Sequence, residues 1–181
     1  MIQGRRAALL LGLLALALLA GAGGLGWRMG GARLELEQAR QRWAARPFRN
    51  YRIEVEQRLG TSCRYSVEVR DERITSVAYN SCSQLIWWRD LPVLPMDATF
   101  TRLATAAGTC GPNGCRCDGL VLLATDYDPA LGYPRTAQLR ADRGMRWLHP
   151  DYWRELAGPP RVCSRAYVEL DLKVVALTPL P

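Results

Sequence analysis

Apolar and polar residues alternate along several stretches of the chain, as expected for β-strands with one buried face and one solvated face. The pattern is clearest near the C-terminus, where charged residues fill much of one parity and Val, Ala and Leu much of the other. The predicted strands cover residues 51–59, 63–70, 73–80, 121–125, 136–140 and 162–174. The short gap between the second and third strands predicts a hairpin, with its turn at Glu72 and Arg73.

Helical spacing of apolar residues predicts two helices. The first covers residues 32–46 and ends at Pro47, and the second covers residues 96–107 with Asp97 as its N-cap. Most of the strands follow one another without a long crossover helix, which favours antiparallel pairing. We therefore predict an α+β fold, in which an N-terminal membrane helix precedes an antiparallel sheet of about six strands with one or two helices packed on it.

The N-terminal segment is typical of a membrane-directing signal. Residues 7–26 carry no charge and follow Arg5 and Arg6. A helix of about twenty residues rises about 30 Å, which is enough to cross the hydrocarbon core of a bilayer. The same stretch also fits a signal peptide that is cleaved near Ala22. We expect a single-pass protein of the cell membrane with its domain on the extracytoplasmic side, or alternatively a secreted protein.

The composition fits one folded domain behind this leader. The chain has 181 residues, of which 49% are hydrophobic, and 24 Lys and Arg against 17 Asp and Glu. We divide it into a signal anchor or signal peptide with a Gly-rich neck (1–30), a juxtamembrane helix (32–46) and an extracytoplasmic α+β domain (47–181). The arginines of residues 28–58 are expected to face solvent or to contact anionic lipid head groups. No stacking aromatics are interleaved with a basic cluster, so no nucleic-acid partner is expected.

Six cysteines are an even number, and outside the cytoplasm cysteines form disulfides more often than metal sites. If the hairpin register makes facing residue numbers sum to 145, Cys63 lies opposite Cys82. Facing residues on antiparallel strands have Cα atoms about 4.5–5.5 Å apart, which a disulfide accepts. The sequence therefore predicts a Cys63–Cys82 disulfide.

The other four cysteines include three in a tight loop, which reads TCGPNGCRC over residues 109–117. We expect Cys110 to pair with either Cys115 or Cys117, and the remaining one of these two to reach Cys163. A four-thiolate zinc site is the alternative, although its ligand spacing is unusual. We expect no cofactor and no metal.

Several residues spread along the chain carry a resemblance to a known family. They are Trp43, Tyr51, Val67, Val69, Phe100, Tyr127, Asp128, Gly132, Tyr133, Pro134 and Asp142. In this pattern the chain resembles a bacterial secreted and membrane-tethered family, the domain of unknown function numbered six-one-seven-four. The likeness covers residues 40–178, and residues 127–134 are its most specific part.

The resemblance implies an extracytoplasmic location, often through a lipidated cysteine, and supplies no activity or catalytic residue. This chain departs from the family at three places. It has no cysteine between the apolar segment and Cys63, it carries Asp71 and Glu72 where the family commonly has Gly, and it contains the insertion at 110–117. A lipid anchor is therefore not expected here.

Two segments are candidate binding sites. Tyr127, Asp128, Gly132 and Tyr133 would converge at the end of two strands, where they either bind a ligand or partner or simply shape a turn and close the core. Trp87 and Trp88 lie in an apolar run that either packs across the sheet or meets a partner or the bilayer interface. Both interpretations stay open at each segment.

The sequence contains few residues that could form a catalytic site. His149 is the one histidine, Pro150 predicts an exposed loop beside it, and no GxSxG motif is present. We therefore expect a non-catalytic interaction or envelope-associated module, attached to the membrane through its N-terminal helix and open to a protein partner. The alternative is a thiol-dependent enzyme or a four-cysteine metal-binding protein that uses residues 110–117.

Overall fold

The architecture is a six-stranded antiparallel sheet with helices, seen in a computed structural model that describes residues 30–59, 61–82, 93–159, 163 and 169–181. The strands are β1 (Tyr51–Leu59), β2 (Thr61–Arg70), β3 (Arg73–Asn80), β4 (Leu120–Tyr127), β5 (Pro134–Asp142) and β6 (Leu170–Pro179). Their order across the sheet is β3-β2-β1-β6-β5-β4, and every neighbouring pair is antiparallel. The predicted α+β class and strand number are confirmed.

Two helices contribute to the core on one face of this sheet. Residues 30–44 form α1 and Met96–Ala106 form α2. Leu36, Ala39 and Trp43 of α1 are buried together with apolar residues of the strands, so this helix and the sheet share a single core. Trp43 packs edge-on against Tyr51 with ring centroids 5.3 Å apart, and Phe100 of α2 stacks on Tyr127 at 6.5 Å. The expected N-cap of α2 is wrong: Pro95 holds that position, and Asp97 lies in the first turn.

The β2–β3 hairpin differs from the predicted hairpin at its turn. Asp71 and Glu72 form the turn with φ of 46° and 61°, the left-handed values of a two-residue hairpin turn. Near this turn, facing residue numbers sum to 143 rather than 145. Two bulges in the pairing then restore the sum to 145 at Tyr65 and Asn80. Cys63 and Cys82 therefore still meet, and the predicted disulfide is confirmed with Cα atoms 5.0 Å apart.

Two short helices follow β5 and were not predicted. Arg143–Leu148 form a 3₁₀-helix, and Pro150–Ala157 form α3. The expectation of an exposed loop at Pro150 is wrong, because this proline occupies the first turn of α3, where its missing N–H costs no hydrogen bond. His149 is the N-cap of α3, and its side chain accepts from the Asp151 N–H.

The predictions for the leader and for the tryptophan pair concern residues that lie outside the described ranges. The apolar segment 7–26, the cleavage position at Ala22 and the pair Trp87 and Trp88 all lie outside those ranges. Among the helices that the described ranges contain, none is both long and apolar enough to cross a bilayer.

Candidate functional site

The cysteine loop, residues 110–119, owes its shape to a buried carboxylate and to glycines. Asp118 is 1% exposed, and its Oδ2 accepts from the Asn113 backbone N–H at 2.7 Å. A Cβ at Gly111 would lie 2.5 Å from the Asp118 side chain, and Gly119 has a φ of 84°. Larger residues at these two positions would displace the carboxylate or strain the backbone. The loop is therefore a built structure rather than a flexible connection.

Two disulfides close this loop and tie it to the rest of the domain. Cys110 pairs with Cys115 and Cys117 pairs with Cys163, with Cα separations of 4.7 and 5.4 Å. This settles the pairing that the sequence left open between Cys115 and Cys117. With these bonds formed, the four sulfurs are not thiolates, which are the form in which cysteine binds zinc.

His149 brings an imidazole against the first of these disulfides. Its Nδ1 lies 3.4 Å from the Cys110 Sγ. The same Nδ1 accepts from the Asp151 N–H at 3.2 Å and lies 3.4 Å from the Asp151 Oδ2. Nδ1 has a single lone pair in the neutral ring, so a proton passed to it from reduced Cys110 would take the place of the hydrogen bond from the Asp151 N–H.

Contacts of α3 and of the preceding 3₁₀-helix with the cysteine loop hold this arrangement together. The Glu155 Oε2 accepts from the Arg116 backbone N–H at 2.9 Å, and the Arg146 guanidinium donates to the Arg116 carbonyl at 3.3 Å. A Cβ at Gly114 would lie 2.2 Å from the Glu155 carboxylate, so the loop also approaches α3 closely at this point. The N-terminus of α3, with His149 as its cap, is thereby held at a fixed position beside the disulfide.

The two residues of the Cys110–Cys115 bond differ in exposure. Cys115 is 0% exposed, whereas Cys110 is half-buried and the His149 side chain is 27% exposed. This difference favours approach of an external thiol from the side of Cys110. The sulfur of Cys110, the imidazole and the buried sulfur of Cys115 lie within 4.8 Å of one another.

Sequence reasoning missed the meeting of Cys110 and His149. The two residues are 39 positions apart, and neither lies in a recognised motif. A local signal did exist, since His149, Pro150 and Asp151 read as an N-cap, a first-turn proline and a first-turn acid. That signal places the start of α3, although it does not reveal which loop the helix start faces.

A second polar cluster, the turn cluster of Arg46, Glu72 and Asp97, lies where the β2–β3 turn meets both helices. Arg46 stacks on the Trp43 ring at 4.1 Å from its centroid and forms an ion pair with Glu72. Burial first, and then a hydrogen bond and repulsion from Asp97, raises the pKa of Glu72 to about 7. The cluster is tied to the core, because the Trp43 indole N–H donates to Asp97 at 3.4 Å.

The predicted loop at residues 127–133 is held by its own contacts. The Asp128 Oδ1 accepts from the Leu131 N–H at 2.8 Å, and Tyr133 packs edge-on against Trp43. Gly132 has a φ of 81°, and a Cβ there would lie 2.2 Å from the Ala39 carbonyl oxygen of α1. Tyr127 stacks on Phe100. Each of the four residues thus has a structural role, and a binding role for them stays a prediction.

Comparison with known proteins identifies no relative of this chain. No family model matches the chain, and neither the curated proteins nor the solved structures contain a match to it. The resemblance to the bacterial family therefore stays a prediction.

Proposed function

We propose that the protein is an extracytoplasmic module of the cell envelope that binds a protein partner and is held in shape by disulfides. The observation that carries this proposal is the pairing of all six cysteines within the domain. Such bonds persist in oxidising compartments and are rare in the cytoplasm. The uncharged leader at residues 7–26 supplies a route to that compartment.

The surface offered to a partner is the polar face of the sheet opposite α1 and α2, here called the open face. Its charged residues on β1, β2, β3 and β6 are Arg52, Glu54, Glu56, Arg58, Arg64, Glu68, Arg70, Arg73, Asp171 and Lys173. Cross-strand ion pairs join some of them, including Arg64 to Glu56 at 2.9 Å. Exposed ion pairs contribute little to stability, so this patterned charge is better suited to selecting a partner.

Protease accessibility of the full chain tests the location. With a C-terminal tag, the domain should be digested from outside intact spheroplasts at the same rate as a known exported protein. Leu14→Arg, which interrupts the apolar segment, is the matched control and should leave the tag protected. Protection of the unaltered chain would overturn the proposal.

Charge reversal tests the surface. Arg58→Glu on the open face should reduce recovery of a photo-crosslinked partner by about ten-fold, since unfavourable charge placed in an interface costs more than a kcal/mol. Arg40→Glu on the exposed side of α1 is the matched control and should not change recovery. Equal recovery from both variants would exclude the open face.

A further inference from the structure

We propose that Cys110–Cys115 is a redox-active disulfide that exchanges with a pair of reduced cysteines on another extracytoplasmic protein. This activity is additional to the proposed binding function and does not depend on the open face. Three observations support the proposal: the contact between Cys110 and His149, the different exposure of Cys110 and Cys115, and the contrast with the disulfide at Cys63.

The different exposure of the two residues sets the order of the reaction. A substrate thiolate attacks the Sγ of Cys110, the more exposed residue, and the S–S bond breaks with Cys115 as the leaving group. A mixed disulfide between Cys110 and the substrate results. The second substrate thiol then attacks the substrate sulfur of this mixed disulfide and releases Cys110.

The overall exchange balances without a further reactant. Two electrons pass from the substrate dithiol to the Cys110–Cys115 pair, and the substrate gains one S–S bond. Two protons follow, of which one reaches Cys115 and the other is shared by Cys110 and His149. Reoxidation by any extracytoplasmic disulfide of higher reduction potential reverses these steps through the same mixed disulfide.

His149 acts on the second step. When Cys110 leaves as a thiolate, the imidazole nitrogen 3.4 Å away can hold the proton and form an ion pair with the sulfur. The positive end of the α3 dipole also stabilises the thiolate, because Cys110 contacts the residue that caps that helix. A better leaving group shortens the life of the mixed disulfide.

The Cys63–Cys82 disulfide provides the internal contrast. Both of its sulfurs belong to residues that are at most 4% exposed, and they pack in the main hydrophobic core. Neither has a histidine contact among the described residues. It should therefore be inert to a dithiol that reduces Cys110–Cys115.

The test is a reduction time course on the detergent-solubilised full chain. A synthetic Cys-x-x-Cys dithiol peptide serves as reductant, samples are quenched with acid, and alkylated cysteines are assigned by mass spectrometry. We expect Cys110–Cys115 to be reduced at least about ten times faster than Cys63–Cys82, since access and a low-pKa leaving thiol both favour exchange. Equal rates would overturn the proposal.

His149→Asn separates the chemistry from the structural role of the cap. Asparagine also caps helices well, so α3 keeps its side-chain acceptor while the imidazole is lost. In this variant the mixed disulfide should persist about ten times longer at pH 6, because less of the leaving sulfur is stabilised as thiolate. The midpoint pH for alkylation of reduced Cys110 should also rise.

Two outcomes of this comparison contradict the role of His149. One is an unchanged alkylation profile in a variant that melts like the parent chain. The other is an ordinary thiol profile, with a midpoint near about 8.5, for Cys110 in the parent chain itself. The second measurement needs no variant, so it decides the matter even if the substitution impairs folding.

Discussion

The β2–β3 hairpin and the cysteine loop each combine a disulfide with an ionisable side chain, but at different separations. In the hairpin, Cys63 lies seven residues from Arg70 at the turn that holds Glu72, which corresponds to about 23 Å of strand. In the loop, the His149 nitrogen lies 3.4 Å from the Cys110 sulfur. Ionisation of Glu72 can therefore affect the stability of the hairpin but not the distant sulfur of Cys63. In the cysteine loop, by contrast, a proton on His149 can act directly on the Cys110 sulfur.

Removing the disulfides one at a time should give the largest effects in this comparison. In the loop-entropy description, replacing both partners by alanine costs about 4 kcal/mol at Cys117–Cys163, about 3 at Cys63–Cys82 and about 2 at Cys110–Cys115. The order follows the sequence separations of 46, 19 and 5. Urea unfolding of the three double variants measures these differences.

The predicted order of stability would be contradicted if the Cys110–Cys115 variant were the least stable of the three. That result would make this disulfide the main crosslink of the domain and would remove the reason to assign it another role. The Cys63–Cys82 variant serves as the matched control, because its effect is on stability alone.

The turn cluster should produce a smaller effect that depends on pH. The folded state raises the pKa of Glu72 to about 7, so the folded protein binds this proton more tightly than the unfolded chain does. The resulting stability is complete below pH 4.5 and is lost as the pH rises through 7. The Glu72 side chain is 42% exposed, so we discount the effect for solvent screening to about 1 kcal/mol.

Thermal unfolding of the parent chain and of Glu72→Gln between pH 4.5 and pH 8 measures this contribution. The parent chain should lose stability relative to the variant as the pH rises, because glutamine does not titrate. A constant difference between the two across this range would show that the carboxyl titrates alike in the folded and unfolded states.

The turn itself should give the smallest effect. Asp71 has a φ of 46° and is exposed, so Asp71→Gly relieves a left-handed conformation that glycine adopts freely. The greater entropy of glycine in the unfolded chain offsets part of this relief, so we expect the free energy of unfolding to rise by about 0.5 kcal/mol.

Gly119→Ala in the cysteine loop is the reciprocal change. It should lower the free energy of unfolding, since its Cβ would lie 2.4 Å from the Asp142 carbonyl oxygen.

The sequence predicted the regular part of this fold because period-two alternation reports directly on a sheet with one buried face. It failed where irregular backbone decides the contacts. The bulges of β2 and β3 cannot be seen in the alternation, and the right cysteine pairing was reached from a turn displaced by one residue. The alternation also does not predict the burial of a polar residue. Gln57 is buried on the core face of β1, and its amide donates to the Tyr65 hydroxyl at 3.4 Å.

The candidate site was predicted in part, for a related reason. The cysteine spacing indicated a closed loop, but it could not choose between Cys115 and Cys117. The contact with His149 depends on how α3 docks on the loop through Glu155 and Arg116, which is a tertiary arrangement with no periodic signature. Sequence patterns therefore found the crosslinks and missed the group that could make one of them reactive.

The oxidation state of the cysteines in the living cell is the most direct test of an oxidising location. Cells that express the full chain would be quenched with acid, alkylated under denaturing conditions and examined by mass spectrometry at each cysteine. We predict that Cys63, Cys82, Cys117 and Cys163 are all protected from alkylation as disulfides. Alkylation of these four in freshly quenched cells would contradict an oxidising location and, with it, the proposed function.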